Sequence, residues 1–361
     1  MDRKLNGLSR EFIIHPGETL KEVLEDRGMS QRELSIRTDV TEAHVSKVAN
    51  GQKAISVGYA KKLEYALNIE SSFWINLQAN YDKELANFEE VNNISGEELA
   101  ILKRLGDITD YLKEMDFLET EAQGPILVIH LRRLLNISSL QRIPEISQIG
   151  AYRLATAANI DQYVLFTWLR MCDLINAKQN ISKTLDVEKL KNKISDIKKL
   201  MFKDATEIED AIKDYLGECG IKFSIVKHFK GAPIQGIIKR NPDDTLTLTM
   251  TNRRKFADIF WFTLFHEIGH ILNGDIKDKL IDYELNDDEI EEKADGFASN
   301  TLIDATAYDE YVRKGDYSLP SIKSFSDKHH LPPFILIGRL QKDNYLEYYH
   351  YPEEKVKYEL G

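Results

Sequence analysis

Phe260-Trp261-Phe262-Thr263-Leu264-Phe265-His266-Glu267-Ile268-Gly269-His270-Ile271-Leu272 is the stretch on which the reading of this chain turns. Apolar residues run almost unbroken around two histidines four positions apart, a spacing that puts both on one face of a helix. Two imidazoles so placed can share one zinc ion, and the Glu267 carboxylate between them can take a proton from a water held there. The same pentapeptide also arises by chance in helices that hold no metal, so the assignment needs a further ligand from elsewhere in the chain.

A zinc site that does chemistry takes three protein ligands and keeps a fourth place open. Downstream, Ile290-Glu291-Glu292-Lys293-Ala294-Asp295-Gly296-Phe297-Ala298 reads as an amphipathic helix with Ile290, Ala294, Phe297 and Ala298 near one face. Glu291 and Asp295 lie four apart and project from the same side. The economical assignment makes Glu291 the third ligand, with Asp295 accepting a hydrogen bond from a ligand imidazole and so fixing its tautomer. The plain alternative is a solvated acidic helix, because the chain from Asp275 to Glu292 is dense in carboxylates. Glu292 adjoins Glu291, so the ligand is decided by one residue, and the spacing to Asp295 favours Glu291. For a donor to a tetrahedral oxyanion the candidates are Tyr283, Tyr308, His329 and His330, among which sequence does not choose.

Just before this segment the period changes to two. Ile221, Phe223 and Ile225 alternate, as do Leu246, Leu248 and Met250, with Ile234 to Ile238 between them. This predicts a small antiparallel sheet leading into the histidine-bearing helix, where an edge strand could hold an extended peptide.

The first seventy residues read as short capped helices. Pro16-Gly17-Glu18 opens one, with Leu20, Val23 and Leu24 inward and Gly28 as its stop. Ser30, with Glu33 three residues on, forms a capping box, and Thr41 caps the helix from Glu42 to Asn50 with Val45, Val48 and Ala49 inward. Two such helices with a tight break are a helix-turn-helix, whose second helix enters the major groove. Its candidate DNA contacts are Thr41, Glu42, Ala43, Ser46, Lys47 and Asn50, flanked by Gln31, Arg32 and Lys53. The alternative is a small bundle used for dimerisation. From Tyr81 to Gly217 the chain is mostly helical, with Trp168 read as core and the charged run Val187 to Lys203 as a solvated face.

At 361 residues the chain has room for two or three domains, and 42% hydrophobic residues suffice for real cores. The net charge of −11 argues against chain-wide attraction to nucleic acid. Met1 to Glu70 is balanced, however, with 11 Lys and Arg against 11 Asp and Glu. Cys172 and Cys219 have no metal or redox spacing and read as buried thiols of a reducing compartment. No segment resembles a signal peptide or a membrane span, so a cytoplasmic protein is expected.

Residues 10–80, through His15-Pro16-Gly17-Glu18-Thr19-Leu20 and Met29-Ser30-Gln31-Arg32-Glu33-Leu34, resemble the Xre-type helix-turn-helix, and especially HigA-type antitoxins. Residues 220–345, through the histidine-bearing stretch, Glu291 to Ala298 and Leu336-Ile337-Gly338-Arg339-Leu340-Gln341, resemble the ImmA/IrrE metallopeptidases, with a weaker likeness around Thr167 to Arg170. Lys293 departs from that pattern, as does Leu302-Ile303-Asp304 where relatives often have proline. The resemblance implies one zinc ion on His266, His270 and Glu291, with Glu267 as general base. It also implies a homodimer on operator DNA, and a partner repressor or toxin protein.

The expected architecture is mainly α with a small antiparallel sheet, an α+β class. It comprises a helix-turn-helix domain at 1–80, a helical middle at 81–217 and a zincin-like domain at 218–361. The expected function is a DNA-binding regulator whose zinc endopeptidase cleaves a partner repressor or the chain itself. The alternative is an antitoxin-like repressor whose metal domain senses a ligand or binds a toxin. Glu267 separates the two, since a purely structural zinc site needs no carboxylate between its histidines.

Overall fold

The computed structural model describes residues 10–148, 160–253, 255–276, 279–280 and 288–359. The described chain divides into two compact units, one running to Leu102 and including Glu121–Leu134, the other made of Lys103–Thr120 and Leu135–Gly361. Among the described residues no helix is long and apolar enough to cross a membrane.

The first unit begins with α1 (Pro16–Asp26), α2 (Gln31–Thr38), α3 (Glu42–Ala49) and α4 (Val57–Leu67). Each start is fixed by a side chain that accepts a hydrogen bond from an otherwise unpaired backbone N–H. His15, Ser30, Thr41 and Ser56 take these positions. The Ser30 cap is one-sided: its hydroxyl accepts from Glu33 N, while the Glu33 carboxylate turns to Arg37. Leu20, Leu34, Val45, Val48, Tyr59 and Leu63 close one core with Trp74. Trp74 comes from α5 (Ser71–Asn92), whose buried Gln78 accepts from Ile55 N at 2.9 Å. The boundary expected at residue 80 falls inside this continuous helix. α6 (Gly96–Arg104) follows, then α7 (Gly106–Glu114), which belongs to the second unit, and α8 (Gly124–Leu135), which returns to the first. Arg132 of α8 grips the Glu98 carboxylate with two nitrogens and reaches Glu90 at 3.0 Å.

The second unit continues with α9 (Ile143–Gln148), α10 (Gln162–Ala177), α11 (Val187–Lys199) and α12 (Ala205–Gly217). Then come β1 (Ile221–Val226), β2 (Gly236–Arg240) and β3 (Leu246–Thr251). α13 (Ala257–Asn273), the two-residue β4 (Lys279–Leu280) and α14 (Asp288–Leu302) follow. α15 (Ala305–Lys314), α16 (Leu319–His329) and α17 (Pro333–Lys342) complete it.

The sheet order is β1-β3-β2-β4, and the sheet is mixed. This corrects the expected antiparallel sheet: β1 runs parallel to β3, with Phe223 opposite Leu248, whereas β2 pairs antiparallel with both β3 and β4. Alternation tells which face of a strand is buried but not which way its neighbour runs. Here β2 and β3 form a hairpin, and β3 takes the inner place beside β1. The outer edge of β1 is covered by the Gln179 side chain, which accepts from Phe223 N and donates to Phe223 O. Trp168 is fully buried, with its indole N–H on Lys227 O. Cys172 and Cys219 are buried and unbridged.

α13 is the central element of this unit. Trp261, Leu264, Phe265 and Ile268 are fully buried in one cluster with Phe223, Leu248 and Leu336. Each such side chain contributes roughly 1.5–3 kcal/mol, and truncating Phe265 to Ala would cost about 3–5 kcal/mol. The indole N–H of Trp261 donates to Tyr358 OH at 3.0 Å. This apolar grip on one side of α13 holds its other side, bearing the two histidines, in a fixed rotation.

Candidate metal centre

His266 and His270 sit one turn apart on α13, with imidazole centroids 4.7 Å apart. Their Nε2 atoms approach to 3.0 Å. From α14, Glu291 brings Oε2 to 3.3 Å from His266 Nε2 and Oε1 to 3.7 Å from His270 Nε2. Ligand atoms of the three residues all lie within 4.8 Å of one another. The helices can meet this closely because Gly269 faces Ala294: a Cβ at Gly269 would stand 3.3 Å from Ala294 Cα.

Each imidazole is oriented from behind. His266 Nδ1 lies 2.8 Å from Asp295 Oδ1, and His270 Nδ1 lies 3.1 Å from Asp275 Oδ2. Lys342 in turn reaches Asp295 Oδ2 at 3.3 Å. With both Nδ1 atoms committed to carboxylates, both Nε2 atoms present their lone pairs to the same point. Burial opposes a charge on His266, but the hydrogen bond with Asp295 and the carboxylates of Glu267, Asp295 and Glu291 outweigh it, and its pKa is raised. The hydrogen bond with His266 holds the Asp295 carboxyl below its usual range, with Lys342 adding to the effect.

Asp275 did not emerge from the sequence as a partner of the site. Its role depends on the end of α13, where Gly274 takes a left-handed conformation with φ of 76°. That turn, which glycine adopts without a Cβ penalty, brings the chain back so that Asp275 faces the ring five residues earlier. A carboxylate just past a helix-ending glycine was the available signal.

Glu267 is 2% exposed. It lines a cavity of about 310 Å³ with His266, Asp295, Thr263, Gln235 and Gly236. Gly236 opens β2, and there the strand passes directly against the Glu267 carboxylate. Among the earlier oxyanion candidates, Tyr308 donates to Asp343 at 2.7 Å, and neither it, His329 nor His330 lines the cavity. Tyr283 lies outside the described residues.

Residues 250–337 match the family model of the IrrE N-terminal-like domain, and residues 20–74 match that of the helix-turn-helix. The chain joins a helix-turn-helix to an IrrE-like domain. The second match contains His266, Glu267, His270, Glu291 and Asp295, while Gly236 and Gln235 lie ahead of it. The chain is 41% identical to Virulence-associated protein A′ of Dichelobacter nodosus over 69 residues, 19% of this chain, and spans 60% of that protein. To Virulence-associated protein A of the same organism it is 39% identical over 69 residues, 68% of that protein. An addiction module antidote protein of a HigA family from Coxiella burnetii is 25% identical, matching 31% of this chain and 96% of its own at a TM-score of 0.20.

The helix-turn-helix places the candidate DNA contacts on α2, α3 and the turns beside them. Arg32, Thr41, Glu42, Ala43, Lys47, Asn50 and Lys53 are exposed, and Gln31 and Ser46 half-buried. Asn50 Nδ2 meets Ser46 Oγ at 3.3 Å, and Lys53 Nζ lies 3.2 Å from His44 Nδ1. Burial lowers the His44 pKa, and the nearby Lys53 and Lys62 lower it further.

The donor set can be tested against zinc. Metal–ligand bonds near 2.0–2.2 Å in tetrahedral geometry require ligand atoms about 3.3–3.6 Å apart. The separations of 3.0, 3.3 and 3.7 Å bracket that spacing. Two neutral imidazoles and one carboxylate are also the nitrogen and oxygen donors zinc takes in hydrolytic sites.

Proposed function

We propose that this protein is a DNA-binding regulator whose second unit is a zinc-dependent endopeptidase, acting on a partner repressor or on a second copy of this chain. The observation that carries the reading is the convergence of His266 Nε2, His270 Nε2 and the Glu291 carboxylate beside a cavity whose wall includes Glu267. His266, His270 and Glu291 would hold the ion. Zinc, when bound, supplies a Lewis acid for the scissile carbonyl.

The chain's own residues account for the remaining chemistry. Glu267 accepts the proton of the water that attacks the carbonyl carbon, then delivers it to the departing nitrogen as the C–N bond breaks. Asp295 and Asp275 keep the imidazoles in the tautomer that leaves Nε2 unprotonated. Gly236 opens β2 directly beside the Glu267 carboxylate, where the backbone of an extended peptide substrate would run past the general base. In the first unit, α3 would read the major groove through Ser46 and Asn50, with Arg32, Lys47 and Lys53 on phosphates.

The test combines metal analysis with cleavage. Purified protein should hold one zinc, lost in His266→Ala and Glu291→Ala but kept in Glu267→Gln. Zinc-loaded wild type should cut a tagged Glu267→Gln chain or a co-encoded repressor, while the Glu267→Gln enzyme should not. Zinc retained after both ligand substitutions removes the site. Cleavage that persists in Glu267→Gln removes the mechanism.

A further inference from the structure

Beside the small cavity, and sharing Gln235, Phe262 and Thr263 with it, lies a larger groove of about 1030 Å³. Its floor is apolar, from Ile259, Phe262, Leu302, Ile303 and Ile335. Among the described residues six cationic side chains line it, Arg253, Lys255, Arg339, Lys342, Lys355 and Lys357, against a single acidic one, Asp258. In a chain of net charge −11 this is a marked local reversal.

Four of the cations have carboxylate neighbours. Lys355 binds Asp258 at 2.9 Å, Arg339 binds Asp343 at 2.7 Å, Lys342 reaches Asp295 at 3.3 Å and Lys255 is 3.8 Å from Glu359. The other two are held differently. Arg253 donates to Pro233 O at 3.0 Å, and Lys357 Nζ stands 5.2 Å from the Phe256 ring centre. Among the described residues no carboxylate pairs with these two, which leaves their positive charge to the groove. An apolar floor under a cationic rim excludes a basic ligand, and it suits an extended polypeptide that alternates apolar and acidic side chains.

We infer that this groove is the substrate-recognition cleft of the metal centre, and that it selects a polypeptide segment carrying acidic residues among apolar ones. The inference rests on the peptidase reading for its purpose, but binding can be measured without cleavage. Lys342 joins the two features, since it lines the groove, stands 4.0 Å from the Phe262 ring centre and contacts Asp295 behind His266. A segment seated in the groove therefore runs past Gln235 and Phe262 towards Glu267.

The experiment uses the full chain carrying Glu267→Gln, so that a bound peptide stays intact. The probe is a short fluorescein-labelled peptide alternating leucine and glutamate, followed by anisotropy beside glutamine and lysine counterparts. The glutamate peptide should bind tightest, and more weakly as salt rises. Arg253→Gln with Lys357→Gln should weaken it roughly tenfold, about 1.4 kcal/mol shared between two exposed ion pairs. Circular dichroism and unchanged zinc content would show that the variant is folded. A glutamate peptide that binds no better than its glutamine counterpart, or no worse to the double variant, overturns the inference. Binding as expected in a protein whose wild type cleaves nothing would remove the peptidase reading and leave the cleft.

Discussion

Gly236 lies directly against the Glu267 carboxylate: a Cβ at position 236 would stand 2.1 Å from Glu267 Oε1 and 2.7 Å from its Cδ. No side chain fits there without moving one of the two. Gly236→Ala should therefore displace the carboxylate while leaving His266, His270 and Glu291 in place. Zinc content is expected to stay near wild type while cleavage falls by roughly a hundredfold, the scale on which an ångström of misplacement acts. Undiminished cleavage in this variant would show that Glu267 does not need its present position.

Asp275 and Asp295 stand behind the two imidazoles in equivalent roles, one from the turn after α13 and one from α14. Asp275→Asn and Asp295→Asn should each weaken zinc binding about 10–100-fold, the usual effect of removing a partner that orients a ligand. Competition against a chromophoric chelator measures this. If both variants match wild type, the carboxylates are ornamental to the site.

The helices of the first unit, and the histidine pair with its acidic partner helix, could be read from the sequence because their signals are local. Ser30, Thr41 and the spacing of Val45, Val48 and Ala49 act within a turn or two, as do His266 and His270. What could not be read depends on contacts between distant segments. The alternation of Ile221, Phe223 and Ile225 carries no information on the parallel pairing with β3. Trp74 and Gln78 carry α5 across the expected boundary because they pack on a core built by earlier helices. Asp275 gains its role only after Gly274 reverses the chain, and Gly236 only once β2 lies beside α13.

The raised pKa of His266 sets a pH dependence. In the metal-free protein, protonated His266 is stabilised by Asp295 and its neighbouring carboxylates. That contribution is fully present below the unfolded histidine value, and it is lost as pH rises through the higher folded one. Zinc needs the deprotonated ring, so it competes with this proton. Zinc affinity should fall by about tenfold per pH unit once the pH drops below the folded value, and level off above it. Calorimetry in buffers of differing ionisation enthalpy should show proton release at low pH. An affinity flat across the histidine range would mean that His266 is not a ligand.

On the helix-turn-helix, the exposed cations and the polar side chains make separable predictions. Arg32, Lys47 and Lys53 carry charge but no base-reading geometry of their own, so they suit phosphates. Replacing each by Ala should weaken binding to all duplexes alike and reduce the salt slope by about 1. Half-buried Ser46 on α3 and exposed Asn50, which caps its C-terminal end, lie one turn apart and already contact each other. Asn50→Ala should instead cost about 1–3 kcal/mol on the preferred site and little on random duplex, because a lost base-edge pair affects discrimination. Gel-shift titrations of operator and random duplex across a salt series distinguish the two effects. A uniform loss for Asn50→Ala would place that residue on the backbone, and unchanged binding in all four variants would remove α3 from the groove.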